Sequence, residues 1–225
     1  MSVWCVRSRA AVLSFAAILL SATCPIGEQI AQAEDPVFSG PQVGESLPEF
    51  ELRGVYDQQR GKTFSPIAMA EGGPIVIVFV HKLTRPGFSL TRAITRYAKS
   101  LEQPKVFVAW LSDDQADAEA YLNRARKSLN LDVPVGVSPD GGEGPGAYGL
   151  NRNVELTILV GDKKNVVANF ALVQPSLVDG EKVAAEIAKL VGKSAPNADT
   201  LEKLAFPNRR EMMRRRDSAR ENEGR

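Results

Sequence analysis

Two runs of the chain are apolar at almost every position, PIVIVFV at residues 74–80 and KVFVAWL at residues 105–111. A strand that is apolar on both sides belongs inside a sheet whose two faces are covered, so both runs are expected as central strands. Between them the period changes. Leu90, Ile94, Tyr97 and Leu101 recur at helical spacing, Ser89 is the expected N-cap just after Pro86-Gly87, and Pro104 ends the helix. After the second run, the Ser-Asp-Asp turn at 112–114 leads into a helix with Ala118, Tyr121, Leu122, Ala125 and Leu129 on one face. Strand, helix, strand, helix predicts a parallel pair with a right-handed crossover. VPVGV, residues 133–137, is a short strand or an extended link. ELTILV at 155–160 and NVVANFALV at 165–173 read as a hairpin across GDKK, and a last helix is expected from Asp179 to about Val191, with Val183, Ile187 and Leu190 inward. Ahead of these elements, Phe50 and Leu52 alternate as in a strand, and KTFSPI at 62–67 is a second short strand or its exit. The order predicts an α/β fold: a mixed central sheet with helices on both faces.

The N-terminus follows a different logic. Arg7 and Arg9 precede the apolar stretch Ala10–Ala22, and AQA at 31–33 supplies small residues for cleavage before Glu34, the pattern of a secretory signal peptide. The apolar core is shorter than the roughly 20 residues that span a bilayer, which favours cleavage over an anchor. The expected organisation is a signal peptide at 1–33, a polar lead at 34–40, a domain at 41–191 and a charged tail at 192–225. Export to the periplasm or the extracellular space follows from the signal. The chain's two cysteines, Cys5 and Cys24, both lie in the segment to be removed. No disulfide can form in residues 34–225, so stability there must come from a packed core.

Charge narrows the partners. The chain carries 28 basic and 27 acidic residues, and the first 33 residues hold Arg7, Arg9 and Glu28, which leaves 26 of each. No basic field of the kind that attracts nucleic acid is present on the domain. The tail is the exception: from Pro207 onward it has seven arginines against four acids. It is read chiefly as a solvated segment with Arg–Glu pairs at helical offsets. Arg209, Arg210, Arg214, Arg215 and Arg216 are its candidates for weak contact with an anionic surface.

The same elements carry a resemblance. VGESLPEFELRGV at 43–55, PIVIVFVHKLTRPG at 74–87 and the stretch from Ser138 to Phe170 resemble, in order and spacing, the thioredoxin-like superfamily and its peroxiredoxin-like redoxin branch. The resemblance covers about residues 41–191 and implies a thioredoxin-like fold. It also implies where a redox centre would lie. The paired-cysteine positions fall at Thr84 and Gly87; in the peroxiredoxin version Thr84 matches the threonine and Gly87 replaces the peroxidatic cysteine. The proline that precedes a later strand matches Glu155 or Val154. Thiol chemistry proceeds through a sulfur thiolate, and a threonine hydroxyl stays protonated and cannot cycle through sulfenic acid or disulfide.

The degenerate loop, His81, Thr84, Arg85, Pro86 and Gly87, with Glu155 opposite, is therefore the candidate site. His81 is the only histidine. It marks a strand end or serves as an acid–base group, with no acidic residue near it in sequence to orient a pair with Thr84. Lys82 and Arg85 precede the expected helix and offer contact to an anion or a peptide carboxylate. Asp113, Asp114 and Asp117 are read as helix-start carboxylates, and GGEGPGAYG at 141–149 as a flexible loop without a phosphate-binding pattern. No metal or cofactor is expected. Two classes of function remain: a redox-inactive module that binds an unknown protein or peptide of the cell envelope, or an oxidoreductase or other enzyme using the altered loop. The missing sulfur favours the first.

Overall fold

A computed structural model of the chain describes residues 37–207. Its centre is a seven-stranded mixed sheet in the order β2-β1-β5-β4-β3-β6-β7. The two apolar runs become β3 (Ile75–Val80) and β4 (Lys105–Trp110), parallel and in register from Ile75 opposite Lys105 to Val80 opposite Trp110. Every residue of β3 is buried, as a strand covered on both faces requires. β5 (Val135–Val137) lies parallel to β4. β6 (Leu156–Asp162) and β7 (Asn165–Leu172) form the expected hairpin, with β6 antiparallel to β3. β1 (Leu52–Gly54) and β2 (Thr63–Phe64) close the other side. β7 and β2 are thus the two edges.

The helices divide unequally between the faces. α2 (Arg85–Ser100) joins β3 to β4 and α3 (Gln115–Leu129) joins β4 to β5. Both crossovers step in the same direction along the sheet, so right-handedness places both helices on one side. Val76, Val78, Val80, Val106 and Val108 meet Leu90, Ile94 and Leu122 there, with Val183 and Ile187 of α4 (Leu177–Leu190). On the other face Ile75, Ile77, Phe79 and Phe107 are covered by the short α1 (Pro66–Ala70), by Leu47 and Phe50, and by Tyr148. Phe50, Phe79 and Tyr148 pack as three rings with centroids 5.0–5.5 Å apart. Among the described residues no helix is long and apolar enough to cross a membrane.

Several expectations need correction. α2 begins at Arg85 rather than after Gly87, and its N-cap is Thr84, not Ser89. Ser89 instead donates its hydroxyl to the Arg85 carbonyl, 2.9 Å away. Residues 141–149 contain two 3-10 turns, Gly141–Glu143 and Gly146–Tyr148, and are pinned where the sequence suggests a flexible loop. Asp113 accounts for this: its Oδ1 accepts the Gly142 N–H at 2.8 Å and faces Arg152, whose Nε also pairs with Glu143 at 2.5 Å. Asp113 therefore ties a loop down, while Asp114 caps α3 by accepting the Asp117 N–H at 2.9 Å.

The packed structure also continues beyond Val191. α5 (Ala198–Ala205) follows α4, and its Leu201 and Ala205 are buried against the helical face. Arg92 and Arg96 of α2 hold it: Arg92 donates to the carbonyls of Leu129, Ser128 and Ala205, and Arg96 to those of Leu204 and Asn130. Two guanidinium groups thus satisfy the open carbonyl ends of α3 and α5 together.

The lead that precedes β1 is built in as well. Ser39 is buried, and the Asn169 side-chain amide of β7 donates to the carbonyls of Ser39 and Pro41 at 2.9 and 2.8 Å. Asn169→Ala should cost about 1 kcal/mol, because two backbone acceptors lose one donor group. Faster amide hydrogen exchange confined to residues 38–42 would be the signature, and unchanged exchange there would show that the clamp does not hold the lead.

Candidate functional site

The loop after β3 is shaped first by its backbone. The Glu155 carbonyl, just ahead of β6, accepts the N–H groups of His81 at 2.9 Å and Lys82 at 3.3 Å, while the Glu155 N–H donates to the Leu172 carbonyl at 2.8 Å. Both main-chain groups of Glu155 are thereby spent inside the sheet. A proline here could not make the bond to Leu172.

Thr84 then turns the chain into α2. Its backbone is extended, its hydroxyl oxygen accepts the Gly87 N–H at 3.2 Å, and Pro86 lies in the first turn, where no intrahelical donor is needed. The same hydroxyl donates to Glu155 Oε2 at 2.6 Å. No acid stands near this loop in sequence; the tertiary fold brings one from 71 residues away. With its proton on Glu155 and a lone pair on Gly87, the Thr84 oxygen acts as a cap and a cross-link.

Gly87 is buried beneath this pair. A Cβ built there would stand 3.0 Å from Pro175 Cγ, 3.0 Å from Thr84 Oγ1 and 3.5 Å from Glu155 Oε2. The site has closed over the position, so any side chain at Gly87 requires Pro175 to move.

His81 belongs to a separate chain of polar groups. Its Nε2 lies 3.0 Å from Thr157 Oγ1, which in turn lies 2.6 Å from Ser39 Oγ, and Ser39 Oγ accepts the Asn151 N–H at 3.0 Å. Thr157 and Ser39 are both buried, and His81 Nδ1 is buried with no hydrogen-bond partner. Burial, helped by the neighbouring Lys82 charge, pushes the His81 pKa down from 6.5 to about 4. The ring is therefore neutral at pH 7, and it makes no hydrogen bond to Thr84. The two residues, close together along the chain, belong to different networks. Thr157 and Ser39 are not evident as site residues from the sequence, although a threonine within the apolar run ELTILV is the kind of signal that marks a buried polar contact.

Arg85, Pro86 and Lys82 are exposed. Neither Lys82 nor Arg85 has an ion pair among the described residues, and the first turn of α2 holds no acid. The carboxylate at this helix N-terminus is that of Glu155, which bonds the Thr84 cap and makes no ion pair with Lys82 or Arg85. The five tail arginines, Arg209, Arg210, Arg214, Arg215 and Arg216, lie outside the described residues. An open cleft of about 320 Å³ at the far end of β4, among Met69, Lys99, Phe107 and Asp132, touches none of the loop residues.

Thr84→Ala should destabilise the domain by about 1 kcal/mol through loss of the cap. Urea unfolding of Thr84→Ala, Glu155→Ala and the double variant should give a coupling of about 1 kcal/mol. Strict additivity would mean that the 2.6 Å bond contributes nothing to stability.

The fold recurs in known structures. A structure described as the thiol:disulfide interchange protein DsbE of Chlorobium tepidum superposes with a TM-score of 0.53 at 19% identity, covering 67% of this chain and 99% of that one. The chain has a thioredoxin-like fold. An uncharacterized conserved protein from Geobacillus kaustophilus matches with a TM-score of 0.54 at 17% identity, over 72% of this chain and 90% of its own. A hypothetical protein from Sinorhizobium meliloti matches at 0.52 and 14%, over 71% and 92%. No family model matches the sequence, and no curated protein matches it. In this thioredoxin-like domain Thr84 and Gly87 stand at the start of α2, with Glu155 facing them.

Proposed function

We propose that the chain is an exported, redox-inactive thioredoxin-like domain that binds a protein or peptide partner of the cell envelope. Thr84, Arg85, Pro86 and Glu155 line the contact surface. The observation that carries this reading is the packing at Gly87, the position that the resemblance gives to a redox cysteine: Gly87 has no side chain, Pro175 and Thr84 occupy the space around it, and Glu155 binds Thr84. Residues 34–225 contain no cysteine, so thiol-dependent peroxide or disulfide reduction within them has no thiolate to proceed through. The exposed, unpaired Lys82 and Arg85 beside that closed site support contact with a partner.

The test is a crosslinking pull-down from the native envelope with residues 34–225, a chain ended at Phe206, and Arg85→Ala, followed by titration of the captured protein in purified form. A purified partner that loses at least tenfold in affinity with Arg85→Ala supports the module. Dithiothreitol-dependent peroxide consumption by purified 34–225 would overturn redox inactivity. Purified partners indifferent to the loop would overturn its role as the contact surface.

A further inference from the structure

The two edges of the sheet are built differently. β2 is only two residues long, a form that leaves little backbone for another chain to pair with. β7 is eight residues long, and from Val166 through Leu172 it reads VVANFAL, with no charge and no proline. Soluble proteins ordinarily blunt such an edge with lysine, proline or a bulge, because its unpaired N–H and C=O groups are a template for another strand; β7 has one register irregularity, opposite Val160 and Gly161, and beyond it Ala168 to Leu172 carries none of these devices.

Part of this edge is already used in that way. Gly44 donates to the Val166 carbonyl at 2.9 Å, the Val166 N–H donates to the Glu45 carbonyl at 2.8 Å, and Ser46 bridges to Asn165. The pairing stops there. The Leu172 carbonyl faces β6, where it accepts the Glu155 N–H, and backbone groups alternate along an antiparallel strand. Ala171 and Asn169 therefore turn their main-chain groups outward, and neither has a backbone partner on that side among the described residues.

This open half of the edge runs into the candidate site. Leu172 is bonded to Glu155, Glu155 to Thr84, and Pro175 closes over Gly87. Leu83, Val173 and Val178 sit on these converging segments and are 40%, 43% and 73% exposed. Lys82 and Arg85 border them.

We propose that the outer edge of β7, from Asn169 to Leu172, accepts an extended segment of the partner as a further strand. The segment carries apolar side chains toward Leu83, Val173 and Val178, and a carboxylate toward Lys82 and Arg85. Main-chain hydrogen bonds supply affinity and the flanking side chains supply selectivity. The inference rests on the binding-module reading and specifies how that module engages its partner.

The probe is a phage-displayed random dodecapeptide library panned on immobilised 34–225. Enriched sequences should combine apolar residues with an acidic one, and a synthetic copy should bind in solution. Two changes should each weaken it at least tenfold: Ala171→Pro, which removes an outward donor without touching the β6 ladder, and N-methylation of alternate residues in the peptide, which leaves the protein unaltered. Arg85→Ala should weaken acidic peptides several-fold. Peptides that bind but tolerate N-methylation and Ala171→Pro while losing affinity with Arg85→Ala would overturn the strand mode and leave the module intact. An absence of enriched peptides would overturn edge capture, while the purified-partner titration still decides the module. Concentration-dependent dimers abolished by Ala171→Pro would assign the edge to a second copy and also overturn the proposal.

Discussion

A chain that stops at Val191 is expected to unfold roughly 10 °C below one that stops at Phe206, because α5 is part of the core. Removing it uncovers the helical face that Leu201 and Ala205 now cover. A buried leucine contributes about 1.5–3 kcal/mol. The same truncation removes the Ala205 and Leu204 carbonyls that Arg92 and Arg96 hold at 2.8 and 3.0 Å, and bonds to a charged donor contribute about 1.5–3 kcal/mol each when buried, less at this partly exposed site. A combined loss of about 3–5 kcal/mol corresponds to a shift of that size in a domain of this length. Arg92→Ala in the chain ended at Phe206 should reproduce part of it, about 2 kcal/mol, since one guanidinium bridges the ends of α3 and α5. Calorimetry on the three chains decides the matter. Equal melting temperatures for the two truncations would place α5 outside the cooperative unit.

The second large effect is a pH dependence centred on His81. In the unfolded chain the imidazole titrates near 6.5; in the fold, burial first and Lys82 second push it down to about 4. Between these values the unfolded state binds more protons than the native state, so stability rises with pH across this window and is lost as pH falls through it. Below about 4 both states are protonated and the slope vanishes. The full shift corresponds to at most about 3 kcal/mol, reduced by solvent reaching the half-buried ring. His81→Gln keeps a group able to reach Thr157 and has nothing to titrate. Urea unfolding of the two proteins from pH 7 to pH 4 should therefore show curves that converge as pH falls, after allowance for the carboxylates they share. Parallel curves would mean that the ring is solvated in the native state. The unpartnered Nδ1 and the contact to Thr157 give the expectation its geometry.

Neither effect touches Gly87 and the groups packed around it. His81 stabilises the lead through Thr157 and Ser39, Arg92 stabilises α5, and Thr84 joins α2 to β6 through Glu155. The exposed side chains of Lys82, Arg85 and Pro86 carry none of these duties.

Much of the scaffold is legible in the amino-acid sequence. The fully apolar runs specify β3 and β4 as central strands, since only a strand covered on both faces tolerates such a sequence. The change to helical period specifies α2 and α3, and the hairpin follows from two apolar runs around a polar turn. The absence of cysteine from residues 34–225 is equally plain, and with it the loss of a thiol nucleophile.

What the sequence alone does not carry is every contact made across long separations. Ser89 and Thr84 are both good caps, and only the path of the chain out of β3, stitched to Glu155, decides for Thr84. A pairing of His81 with Thr84 rests on their proximity along the chain. The sheet separates them, because His81 reaches Thr157 and Ser39 while Thr84 reaches Glu155. The segment after Val191 looks like a charged tail, yet two arginines of α2 and a buried leucine make residues 198–205 part of the domain. Local pattern determines which segments become strands and helices, since periodicity is a property of neighbours in sequence. Hydrogen-bond partners, the fate of the Gly87 position and the open edge of β7 depend on which segments the folded sheet sets side by side, and only the tertiary structure decides that.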